Sequence, residues 1–131
     1  MTDDHSEIRA LVHRWVAGIQ ARDLDAVLAD HTEDIVMFDV PPPYQGVRGI
    51  DAYQEAWPPF FEYMVSGAFF DPIELDITAS DTVAFAHALL RCGTSVELTA
   101  KPAVRLRLTL GFRKQGGRWQ VAHEHHSFPA N

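Results

Sequence analysis

Apolar and polar positions alternate strictly from Val104 to Phe112. Val104, Leu106, Leu108, Leu110 and Phe112 fall on one side of an extended chain, with Arg105, Arg107, Thr109 and Arg113 on the other. A period of two is what a strand with one buried face requires. Gly116 and Gly117 follow, supplying the positive φ that a tight hairpin needs. With those glycines at the tip, Phe112 is expected opposite Val121, Leu110 opposite His123, Leu108 opposite His125 and Leu106 opposite Ser127. His123, His125 and Ser127 then share the apolar face. Arg107 opposes His126, and Thr109 opposes Glu124, on the polar face. A loop one residue longer or shorter reverses the assignment.

Upstream, the period changes. Ile8, Leu11, Val12, Trp15, Val16 and Ile19 form one helical stripe, predicting a helix from Ser6 to Ala21, with Asp4 and Glu7 at capping-box spacing. His5 and His13 fall off that stripe. Asp23 caps a short second helix carrying Leu24, Val27 and Leu28. Ile35 to Asp39 reads as a short strand, stopped by Pro41, Pro42 and Pro43. A loop holds Tyr44, Gly46 and Gly49. A third helix starts at Ile50 and buries Ile50, Tyr53 and Trp57; Pro58 and Pro59 end or bend it. Phe69 to Ile77 and Thr82 to Cys92 are strands. The second places Val83, Phe85, His87 and Leu89 on one face and Ala84, Ala86, Ala88 and Leu90 on the other. Gly93 to Lys101 is read as a loop.

Helices followed by antiparallel strands make an α+β pattern. The expected fold is a single domain over residues 1–131. A cone-shaped, curved antiparallel sheet wraps three N-terminal helices and leaves an apolar hollow open at one end.

Charge and composition narrow the partners. The chain of 131 residues carries 18 acids against 11 bases, a formal net charge of −7, which argues against nucleic acid or an anionic membrane. No apolar run is long enough to span a bilayer, and no secretion signal is evident. The single cysteine, Cys92, rules out an internal disulfide and is consistent with a cytoplasmic setting. Nothing in the sequence supplies it with a base, so it reads as a small core residue.

The candidate chemistry lies at the mouth of the hollow. Asp39 ends a strand there, and His123 and His125 face inward in the expected register. Histidine exchanges protons near neutrality. One imidazole would donate to a carbonyl oxygen while Asp39 takes the proton of the adjacent carbon, with no cofactor. Tyr44 and Trp57 would wall the substrate, with His87 and Ser127 as further contacts. Each has a plainer reading: Asp39 as a turn cap, His87 as a hydrogen-bonded core residue, the last strand's histidines as a structural network. A binding or dimerisation module without chemistry is therefore the alternative. A further alternative is zinc or iron on His123 and His125 with His87 or Asp39; no metal is expected. Arg107, Glu124 and His126 would form a charged outer patch where two copies meet.

These residues carry a resemblance. Trp15, Phe38-Asp39 through Pro43 and Gly46, Gly49 to Trp57, Arg107 to Thr109, Gly117 to Trp119, and His123 to Pro129 resemble the nuclear transport factor 2-like superfamily, in its SnoaL-like and ketosteroid isomerase-like branch. The resemblance implies the cone fold, a small hydrophobic ligand, and a cytoplasmic homodimer packed through the sheet. It leaves several activities open: isomerase, dehydratase, polyketide cyclase, epoxide hydrolase or binding alone. No Tyr and Asp here match the oxyanion pair of the steroid isomerase site.

Overall fold

The computed structural model describes residues 3–130, so of the expected 1–131 domain Met1, Thr2 and Asn131 lie outside the described residues. Helix α1 (Asp4–Gln20) buries the whole expected stripe, and His5 and His13 are exposed. Its cap is Asp3, whose carboxylate accepts from the Ser6 N–H at 2.7 Å. Asp4 instead accepts from Lys114 Nζ at 2.8 Å and from Trp119 Nε1 at 3.0 Å, tying the helix start to the C-terminal hairpin. Helix α2 (Leu24–Leu28) is capped by Asp23 as expected. Where the two helices touch, a Cβ on Gly18 would lie 2.9 Å from Ala26 Cβ. Gly18→Ala is expected to cost about 1–3 kcal/mol through overpacking, read as a lowered denaturant midpoint.

Helix α3 (Ile50–Val65) runs through Pro58 and Pro59 instead of stopping there. The carbonyls that lose donors belong to Gln54 and Glu55, four residues back. Both residues, like the two prolines, are exposed, so water can take those carbonyls. The continuation keeps Phe60, Tyr63 and Met64 on the helix that already carries Tyr53 and Trp57.

The strands are β1 (His31–Phe38), β2 (Val47–Arg48), β3 (Phe69–Ala79), β4 (Val83–Gly93), β5 (Leu106–Gln115) and β6 (Arg118–Ser127). They form one curved, unclosed, six-stranded sheet in the order β2-β1-β6-β5-β4-β3. Its pairings are antiparallel except for the parallel contact of β1 with β6. That contact starts β1 at His31, ahead of the expected Ile35. The segment read as a loop after β4 contains α4 (Ser95–Ala100), opened by a capping box between Thr94 and Glu97.

The hairpin register corrects the sequence reading. Gly116 and Gly117 do form the tip, with φ of 60° and 75°, and Phe112 does face Val121. Beyond that point Gly111 faces His123, leaving Ala122 unpaired in a bulge. Leu110 then lies opposite Glu124 and Leu108 opposite His126, while Arg107 faces Ser127. One extra residue moves every later side chain of β6 to the other face. Gly111 favours this: even a Cβ there would stand 3.3 Å from His123 Cβ.

Candidate active site

A cavity of about 370 Å³ opens between α3 and the inner face of the sheet. Met37 and Asp39 reach it from β1 and its end, at strand spacing, and His126 reaches it from β6. Trp57, Phe60 and Tyr63 project from α3, and Cys92 and Glu97 close the far side. Most of the wall is apolar or aromatic.

Behind His126 lies a buried polar cluster. Glu124, fully buried on β6, accepts from His126 Nε2 at 2.9 Å on one carboxylate oxygen. Its other oxygen meets the Tyr53 hydroxyl at 2.5 Å and His31 Nε2 at 2.7 Å. Tyr53 in turn accepts from the Trp15 indole N–H at 3.1 Å, and its ring stacks on His31 at 4.8 Å. Both nitrogens of His31 face acceptors, since Nδ1 is 2.8 Å from the Ala29 carbonyl. The Glu124 carboxylate thus gathers three partners, His126, Tyr53 and His31, from three separate elements.

The electrostatics follow from this geometry. Burial works against the charge on Glu124, but the hydrogen bonds from His126 and His31 outweigh it and hold the carboxyl down at about 2. Burial also works against charging His126; Glu124 outweighs that, and Asp39 adds to it, so the imidazolium is favoured. The Tyr53 hydroxyl is pushed well up, by burial first and then by Glu124, and stays a donor. Trp57, only 5% exposed, keeps a buried indole N–H without a partner. Among the described residues no cluster of three or more His, Cys, Asp or Glu could hold a metal ion.

The SnoaL-like domain family matches residues 8–131 of this sequence. The chain belongs to that family. Among solved structures it is similar to an NTF2-like protein of unknown function from Pseudomonas putida KT2440. That likeness is 36% identical with a TM-score of 0.84, over 97% of this chain and 87% of that one. A ketosteroid isomerase-like protein from Erwinia carotovora atroseptica shares the fold at 20% identity and a TM-score of 0.71, over 100% of both chains. So does an NTF2-like protein with a cystatin-like fold from Novosphingobium aromaticivorans, at 17% identity and a TM-score of 0.75, over 95% of this chain and 81% of that one. No curated protein matches the chain.

Of the residues singled out from the sequence of this SnoaL-like domain, the structure brings two to the cavity, Asp39 and Trp57. Four others stand on the outer face. His123 packs its ring on Phe38 at 5.3 Å and approaches the Val36 carbonyl through Nδ1 at 2.7 Å. His125 is exposed beside the same phenylalanine, at 5.6 Å. Ser127 lies on that face too, displaced by the same bulge. His87 is exposed because the alanines of β4, and not Val83 and Phe85, are the buried set. Tyr44, 87% exposed, lies in the loop before β2 and lines no part of the cavity. The expected charged outer patch dissolves as well, since Glu124 and His126 are inside and Arg107 donates to the Phe128 carbonyl at 3.2 Å.

Sequence reading missed His31, Glu124 and His126 as inward groups. Two signals pointed to them. Gly111 within an alternating strand marks a bulge. The run His123-Glu-His-His126 offers histidines to both faces, so one bulge decides which pair of side chains is buried.

Proposed function

We propose that this SnoaL-like domain binds a small hydrophobic molecule in its cavity and moves a proton on it without a cofactor, as an isomerase, dehydratase or cyclase does. The observation that carries the reading is the pairing of Asp39 and His126 on one largely apolar wall. Asp39 uses one carboxylate oxygen to accept from the Val40 N–H at 2.7 Å, which orients it and leaves the other oxygen for a substrate. His126 is held by Glu124 through Nε2, so Nδ1 is the nitrogen left for a ligand.

The division of labour follows. Asp39 takes a proton from a carbon next to a carbonyl; the C–H electron pair becomes a C=C bond and the carbonyl pair moves onto oxygen. The His126 imidazolium gives that oxygen a hydrogen bond or its proton. Return of the proton at another carbon is isomerisation; departure of a β-hydroxyl is dehydration. Glu124 steadies the charge on His126.

A panel of hydrophobic ketones tests this, first by thermal shift and then in heavy water. Ketones that raise Tm are expected to gain deuterium beside the carbonyl faster than without protein. Binding without exchange leaves a carrier and removes the catalysis; no binding removes the ligand site.

A further inference from the structure

The cavity's walls and its charge point the same way. Five of its side chains are aromatic: Trp57, Phe60, Tyr63, Phe70 and Phe128. Trp57 meets Phe60 at 84° and 5.7 Å, and Phe60 meets Phe70 at 78° and 5.8 Å. Neighbouring rings thus stand as walls at a corner, not as a stack. Ring faces carry partial negative charge and attract cations.

Two carboxylates, Asp39 and Glu97, line the same space, and among the described residues no lysine or arginine does. Glu97 is firmly placed: one oxygen accepts both the Tyr63 hydroxyl and, at 2.9 Å, the Thr94 N–H. Its other oxygen remains for a ligand. The His126 imidazolium also lines the space, but it is paired with the Glu124 carboxylate at 2.9 Å, so it does not cancel Asp39 or Glu97. Two lining groups register the negative interior. The Cys92 thiol is pushed up to about 12, by burial first, then by Glu97 and Asp39. The Tyr63 hydroxyl also rises to about 12, by burial and then by Glu97.

We infer that the ligand is a cation: a small hydrophobic amine or quaternary ammonium. Its charged nitrogen sits among the aromatic rings beside Glu97, and its hydrogen-bond acceptor lies toward His126. This rests on the cavity being the ligand site and narrows the class of molecule that enters it. The acidic chain as a whole, at −7, favours the approach of such a ligand.

Calorimetric titration of the intact protein at low salt tests it with three probes of similar size: benzyltrimethylammonium, neutral benzylacetone and anionic hydrocinnamate. The ammonium is expected to bind roughly tenfold more tightly than the ketone, with the carboxylate weakest. Glu97→Gln still offers Thr94 a capping oxygen and is expected to bring ammonium and ketone close to parity; Asp39→Asn narrows the gap less. Equal or tighter binding of benzylacetone overturns the cation assignment and leaves the proposed function standing. Binding of none of the three removes the cavity as ligand site altogether. A preference for the ammonium that survives both substitutions shows that these carboxylates do not select it, and overturns the inference.

Discussion

Glu124→Ala is expected to destabilise the protein by about 3–5 kcal/mol, the usual cost of removing one partner from a buried, hydrogen-bonded ion pair. The substitution strands the His31 imidazole, the Tyr53 hydroxyl and the His126 N–H, all of which now end on one carboxylate. Thermal denaturation should show a fall in Tm of about 10–20 °C. The pH dependence supplies a second signature. Glu124 is depressed from 4.5 to about 2, so its contribution is complete above pH 4.5 and fades as pH falls toward that lower value. His126 is raised from 6.5, so its contribution is complete below pH 6.5 and is lost as pH rises through the folded value. Wild-type stability from this cluster should peak between those limits, and Glu124→Gln should flatten both flanks. A variant as stable as the parent, with the same pH profile, would show that the cluster does not hold the fold.

Asp39→Asn is expected to lower the rate of proton exchange on a bound ketone by roughly 10²–10⁴-fold, the range for losing a general base. Asparagine keeps the size of the side chain and an oxygen for the Val40 N–H, so ligand affinity for neutral ketones should change little. Asp39 is half-buried at the strand's end, outside the hydrophobic core, so the fold should tolerate the change. His126→Gln should lower the rate as well, whereas His123→Gln and His125→Gln should leave it near the wild-type value. Undiminished exchange by Asp39→Asn would remove that residue from the reaction. Loss of exchange on changing His125 would return the chemistry to the outer face.

The fold was largely legible because its signals are local and repeated. The helical stripe from Ile8 to Ile19, the proline stop after Asp39, the alanine alternation of β4 and the glycine pair of the hairpin each specify their own element. The capping box at Thr94 and Glu97 was equally local, yet α4 was read as loop because six residues make too short a pattern. The site was less legible. Asp39 and Trp57 line the cavity, as read from the sequence, because a strand end and a helix stripe fix their direction without reference to other elements. The histidines of β6 were placed on the wrong face because their direction depends on the residue count across a pairing, and a single bulge changes that count by one.

What the sequence determined by itself is the set of elements, their order and the presence of several imidazoles and carboxylates near the chain's end. Periodicity and turn chemistry act over a few residues, and the chain carries them wherever it goes. Only the tertiary structure decided which of those groups meet. His31, Tyr53, Glu124 and Trp15 come from four separate elements and converge because β1 pairs parallel to β6 under α1 and α3. The free energy of that convergence belongs to the pairing and burial of distant segments, which no local pattern in the chain encodes.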